Sequence, residues 1–160
     1  MSFVARPSIE EIDAPPESED VIVNDGFFPD VDPADIRAAA RIPSTITPLR
    51  LRGAIVGAIM TILSDLQGFA TASIAAGHAT LAAVPAPQID GASVRIHAYR
   101  RAVALFAKAE LVERHRDFDS TAAGANQATE LEGSIGDLRR DAHHAIRDIL
   151  GRTRTTVDLI

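Results

Sequence analysis

Seven apolar positions, Ala128, Leu131, Ile135, Leu138, Ala142, Ala145 and Ile149, recur at alternating spacings of three and four residues. On a helix that spacing gathers them into one heptad seam, which must be covered by an antiparallel partner helix or a neighbouring subunit. The segment therefore commits the chain to helix-on-helix packing. Apolar residues make up 46% of the sequence but aromatics only 4%, with alanine abundant, as expected of helices packed closely through small side chains. A chain of 160 residues suffices for one domain with a real core.

Punctuation places the other helices. Asp32-Pro33 reads as an N-cap followed by proline at the first helical position, with Asp35 near the positive helix end, and Ile42-Pro43-Ser44 as the stop. Thr47-Pro48 repeats the start signal. Leu51, Ile55, Ala58, Ile59, Ile62 and Leu66 then share a face, with the helix fading between Gly68 and Gly77. Val84-Pro85-Ala86-Pro87 breaks the chain and Asp90-Gly91 marks a turn. Tyr99, Ala102, Val103, Phe106, Ala109 and Val112 line one side of a third helix, with Arg95, Arg100, Arg101, Lys108, Arg114 and Arg116 around the rest. Gly151 ends the fourth helix. The expected helices span about 32–41, 47–77, 92–117 and 125–150. The expected fold is an all-α, four-helix connector-type bundle.

Both ends differ from this body. Residues 1–24 contain Pro7, Pro15 and Pro16 within a dense acidic run and read as an extended arm, with Val21, Ile22 and Val23 as a short apolar patch that could dock. We expect this arm to order on a neighbouring subunit. Asp25-Gly-Phe-Phe-Pro is a turn presenting Phe27 and Phe28, expected to pin the loop to the body or to another subunit. Residues 25–151 form the helical domain. Residues 152–160 (Arg-Thr-Arg-Thr-Thr-Val-Asp-Leu-Ile) are β-prone, and we expect them to find a strand partner outside the chain.

Charge and motif content narrow the function. Ten acids face only Arg6 within residues 1–35, whereas the remainder is mildly basic, within a net charge of −6. No dense basic stripe suggests sequence-reading of DNA. Cysteine is absent, which removes disulfides, thiolate ligands and thiol nucleophiles. His97 and His115 lie about 27 Å apart along one helix face, and His143 and His144 diverge by about 100°, so neither pair suggests a metal site; His78 stands alone. Asp117 and Asp119 sit at a helix-to-loop transition, where short acids form local hydrogen bonds. Arg100-Arg101 and Arg139-Arg140 are adjacent pairs that diverge on a helix, the second beside Asp137, Asp141 and Asp148. No Walker loop, dinucleotide fingerprint or nucleophile elbow occurs. No catalytic, cofactor or metal residues are expected. The N-terminus lacks a signal-peptide pattern, and Asp65 cuts the uncharged run from Gly53 short of a bilayer span, so a soluble protein without a membrane partner is expected.

Several segments carry a family resemblance. Residues 25–42 (Asp25-Gly-Phe-Phe-Pro-Asp-Val-Asp-Pro through Arg41-Ile42) are followed by Thr45-Ile-Thr-Pro-Leu-Arg-Leu-Arg-Gly-Ala-Ile. Then come Ala98-Tyr-Arg-Arg-Ala-Val, Arg116-Asp-Phe-Asp-Ser-Thr, Leu138-Arg-Arg-Asp-Ala, and the closing residues 151–160. In this order they resemble the head completion proteins of contractile-tailed phages, from about Val23 to Ile160. The resemblance implies a virion protein of the neck or connector, assembled in the host cytoplasm. It would bind the portal protein after DNA packaging, extend the channel as a ring, and support the next neck or tail-terminator protein. The ring would be twelve-fold if it follows the portal, with non-specific genomic DNA contact in the channel. On that reading Arg152, Arg154, Val157, Leu159 and Ile160 dock on the portal, and Val21, Ile22, Val23, Phe27 and Phe28 make subunit or body contacts. The alternative reading is a small helical DNA-associated or regulatory protein, which would need a compact basic face; a helical enzyme would need converging perturbed ionisable groups.

Overall fold

The computed structural model describes residues 20–116 and 124–152, with backbone alone for residues 115–116 and 124–133. Helix α1 (Pro33–Ala40) starts as expected: Asp32 accepts from the Ala34 amide at 2.8 Å, and Pro33 occupies the first turn. It ends where expected, at Ala40 with Arg41 as the cap. Arg41 adopts a left-handed conformation (φ 51°), and the Arg41 and Ile42 amides close back on Ala38 and Arg37. This is the αL exit usually made by glycine. The Arg37 guanidinium secures it by donating to the Pro43 and Ile46 carbonyls.

Helix α2 (Pro48–Ala75) opens on the Thr47 cap and runs 28 residues, ending inside the expected window between Gly68 and Gly77. An interior glycine costs about 1 kcal/mol, but Leu66, Phe69, Ala70 and Ser73 pack inward on either side of it and offset that cost. The helix ends where Gly77 takes φ +92° and the His78 amide reaches back to the Ser73 carbonyl at 3.0 Å. By length and composition α2 could cross a membrane, and a third of its most apolar stretch is buried inside the fold.

A short strand pair was not anticipated. β1 (Gln88–Ile89) and β2 (Ala92–Ser93) pair antiparallel around Asp90 and Gly91, both left-handed, as a two-residue hairpin turn requires. The hairpin is held to the body because the Ile89 carbonyl lies 2.9 Å from His97 Nε2.

Helix α3 (Val94–Arg116) is the central element, packed against α1, α2 and helix α4 (Gly124–Ile149). Tyr99, Ala102, Val103 and Ala109 are buried as the sequence pattern requires, and Ile96, Ala98, Ala104 and Ala107 are buried as well. Three neighbours explain the wider burial, which a single-face reading of α3 does not reveal. α4 runs antiparallel to α3: Arg95 near the start of α3 donates to the Ile149 carbonyl at the end of α4, and Glu113 pairs with Arg139 at 2.6 Å. Ile135, Ala142, Ala145 and Ile149 of the seam are buried and Leu138 half-buried, whereas the Ala128 and Leu131 side chains lie outside the described residues. The seam is thus covered largely by α3 within one chain, and the fold is mainly helical with a single two-stranded sheet among the described residues.

Candidate functional site

The entry loop is built from its turn residues upward. The Asp25 carboxylate accepts from the Phe27 and Phe28 amides, both at 3.0 Å, and Gly26 takes φ +92°. This turn drives both rings inward. Phe28 stacks on Tyr99 at 5.3 Å and meets Phe27 edge-on at 4.9 Å, while Phe27 reaches Phe69 of α2. The Phe27 carbonyl also accepts from the Leu81 amide at 2.8 Å, tying the loop to the stretch after α2. Phe27 and Phe28 are 4% and 3% exposed, so they contact their own body.

The 21–23 patch divides. Ile22 is buried and exchanges two backbone hydrogen bonds with Val31, at 2.8 and 3.0 Å, whereas Val21 and Val23 stay exposed. Alternation along an extended segment explains the split. Arg52 of α2 donates to the Asp20 carbonyl at 2.7 Å, so the segment from residue 20 is laid on its own helices.

Tyr99 anchors this region to the core. Its hydroxyl accepts from Asn24 Nδ2 at 2.7 Å, and burial pushes its pKa well above the usual tyrosine range, with Asp25 and Asp30 adding to the shift and the Asn24 bond opposing it. The neutral phenol is therefore the folded form. Unfolding releases a proton once pH exceeds the unfolded pKa near 10, so stability present below that pH declines as pH rises further, by up to about 1.4 kcal/mol per pH unit. Tyr99→Phe is expected to cost about 1 kcal/mol at neutral pH and to flatten this alkaline decline. Urea melts from pH 7 to 11.5 measure both, and an unchanged alkaline slope would refute the assignment.

Most charged groups of the sequence reading become surface pairs. Arg140 bridges Asp137 and Asp141, Arg114 pairs with Glu110, and His143 lies 3.9 Å from Asp65 and edge-on to Phe106. His97 contacts the hairpin, and His144 lies 4.0 Å from Asp141. Among the described residues no cluster of three or more His, Asp or Glu could hold a metal. Asp117 and Asp119, residues 1–19, and the docking candidates Arg154, Val157, Leu159 and Ile160 lie outside the described residues. Arg152 is exposed immediately after the α4 terminus.

A feature missed by the sequence reading lies on the outer side of α2. Leu49, Gly53, Val56, Met60, Gln67 and Ile74 recur at spacings of three, four and seven, an outer face of α2 turned away from the core and flanked by the half-buried Leu63 and Ala70. Leu49, Met60 and Ile74 are 79%, 66% and 54% exposed, and the stripe carries no charge. A mirror count of α2 for a second period would have found it.

No solved structure matches the chain. It is 40% identical, over 93% of its length and 88% of the relative's, to the head completion/stabilization protein of Escherichia phage P2. It is 27% identical, over 88% of its length and 92% of the relative's, to the "Probable head completion/stabilization protein" of Haemophilus phage HP1. The family model of the phage head completion protein (GPL) matches residues 22–160, from the Ile22 bridge to the end of the tail. The chain belongs to the phage head completion protein (GPL) family.

Proposed function

We propose that this chain completes the phage head by binding the portal after DNA packaging, forming a ring that extends the channel and carries the next neck component. Membership of the head completion family supports a structural role in the virion. The observation that carries the assembly reading is the outer seam of α2. A monomer rarely leaves an uncharged apolar stripe along about 37 Å of helix without a partner. Heptad spacing suits a facing helix, and the absence of charge suits a second copy of the same chain, so the seam is the subunit contact of the ring. The tail, residues 152–160, then supplies the contact to the portal by strand addition, with Val157, Leu159 and Ile160 as anchors and Arg152 and Arg154 paired with acids.

Size-exclusion chromatography and negative-stain imaging, with the subunit alone and with portal rings, test the proposal. Collars on portals are the expected result; a subunit that stays monomeric and fails to bind portals contradicts it. Val56→Asp combined with Met60→Asp is expected to leave the helical circular dichroism intact while abolishing rings, because both positions point outward. Collars that form normally with this pair would remove α2 from the subunit contact.

A further inference from the structure

A cleft of about 860 Å³ opens between α1 and α3. Its apolar floor comes from Val31, Ile36, Ala104, Leu105 and Leu138, and its basic edge from Arg41, Arg100, Arg101 and Lys108. Among the described residues, none of these four cations has an ion-pair or hydrogen-bond partner from a side-chain carboxylate. Elsewhere the pattern is the opposite: Arg114 of α3 and Arg139 and Arg140 of α4 each hold a carboxylate within 2.7 Å. The cleft thus offers an apolar trough with positive charge on its α3 wall, from Arg100, Arg101 and Lys108, and at the α1 exit, from Arg41. The lining also carries three acids: Asp30 and Asp32 accept from the Asn24 and Ala34 amides, and Asp35 lies in the first turn of α1.

The chain itself supplies a matching segment. Val21 lines the cleft, and Asp20 and Ile22 on either side of it are fixed to the body by Arg52 and Val31, so the described chain begins one residue from the cleft lining. Residues 9–19 read Ile-Glu-Glu-Ile-Asp-Ala-Pro-Pro-Glu-Ser-Glu, with five acids and two isoleucines. Extended, they span up to about 36 Å, whereas the cleft runs about 16 Å along α3 from His97 to Lys108. Reach is therefore ample, and covalent attachment gives a high effective concentration. We infer that the α1–α3 cleft is the receptor for the acidic N-terminal arm of its own chain, residues 9–19. With the three residues per turn of a polyproline II segment, which Pro15 and Pro16 favour, Ile9 and Ile12 share the face that enters the trough, and Glu10, Glu11 and Asp13 face Arg100, Arg101 and Lys108. The inference goes beyond portal docking and does not depend on it.

The absence of cysteine makes a direct test possible in the full chain. Ala14→Cys is combined with Ala39→Cys, on the exposed α1 wall of the cleft. The control combines Ala14→Cys with Thr61→Cys, which is exposed on α2 outside the seam, about two and a half turns from the Arg52 that holds Asp20. The cleft pair is expected to form an intramolecular disulfide at least tenfold faster than the control under mild oxidation. Arg100→Glu with Arg101→Glu should erase that preference, and Glu10→Lys with Glu11→Lys should restore it. Equal rates for the two pairs overturn the inference. So does a product that is mainly covalent dimer, which would assign the cleft to a second copy's arm. Faster closure of Ala39→Cys with Val157→Cys would give the cleft to the C-terminal tail and also overturn it. Binding of a random-sequence DNA duplex by the full chain, lost with Arg100→Glu and Arg101→Glu, would make the cleft a nucleic-acid surface and overturn it too.

Discussion

Phe28→Ala is expected to lower the stability of the free subunit by about 4 kcal/mol, within the range for truncating a buried phenylalanine. The ring is 3% exposed and stands between Tyr99 and Phe27, so its loss opens a cavity at the joint of three segments. The backbone cannot slide in to fill it. Phe28 is held by the Asp25 carboxylate at its own amide, and Phe27 by the Leu81 hydrogen bond at its carbonyl. For a chain of this size the midpoint of thermal unfolding should fall by roughly 8–16 °C. Phe28→Leu, which keeps most of the volume but loses the stacked face, should cost about half as much. Calorimetry on the two variants decides the matter, and a drop below 3 °C for Phe28→Ala would show that the loop is not anchored through this ring. Phe27→Ala should follow at a slightly smaller cost, because its contact with Phe69 is longer, at 6.4 Å.

What could be read from the residues alone was chiefly local. Asp32-Pro33 and Thr47-Pro48 mark helix starts because cap and proline chemistry act within one turn. The inner face of α2, from Leu51 to Leu66, is buried as its spacing requires. Family membership was legible because the entry loop, the α2 start and the tail keep their order along the chain. The exit of α1 through Arg41 was not legible, since arginine in the left-handed region has no compositional signature. The end of α2 was legible only as a window from Gly68 to Gly77, because tertiary packing carries the helix through Gly68 against local propensity. The outer seam of α2 was masked for a different reason. A helix apolar on two sides shows little asymmetry, so a search for one face stops at the stronger one. The basic edge of the cleft joins Arg41 of the α1 exit to residues some sixty positions later, and only the packing of α1 on α3 brings them together.

The largest functional effect expected belongs to the tail. Truncation after Gly151 should abolish sedimentation with portal rings while leaving the helical fold intact. The second half follows from the described geometry. α4 ends at Ile149, and its last carbonyls are already satisfied: Leu150 donates to Ile146, Gly151 donates to Asp148 in the left-handed conformation, and Arg95 caps Ile149. The cut removes a single described backbone bond, from the Arg152 amide to the Arg147 carbonyl, and leaves Ile149 buried in the core. Circular dichroism should be unchanged, with the thermal midpoint within about 3 °C, because one exposed terminal hydrogen bond is worth about 1 kcal/mol. The first half follows from chemistry. Residues 153–160 favour a strand, while the only sheet among the described residues is the two-residue β1–β2 hairpin. Backbone donors and acceptors of a strand are best satisfied by the edge of a partner's sheet. Val157→Asp in the full-length chain should reproduce most of the loss, since it spoils one anchor and deletes nothing. Truncated protein that sediments with portals at wild-type affinity would place the docking surface on the helical body instead.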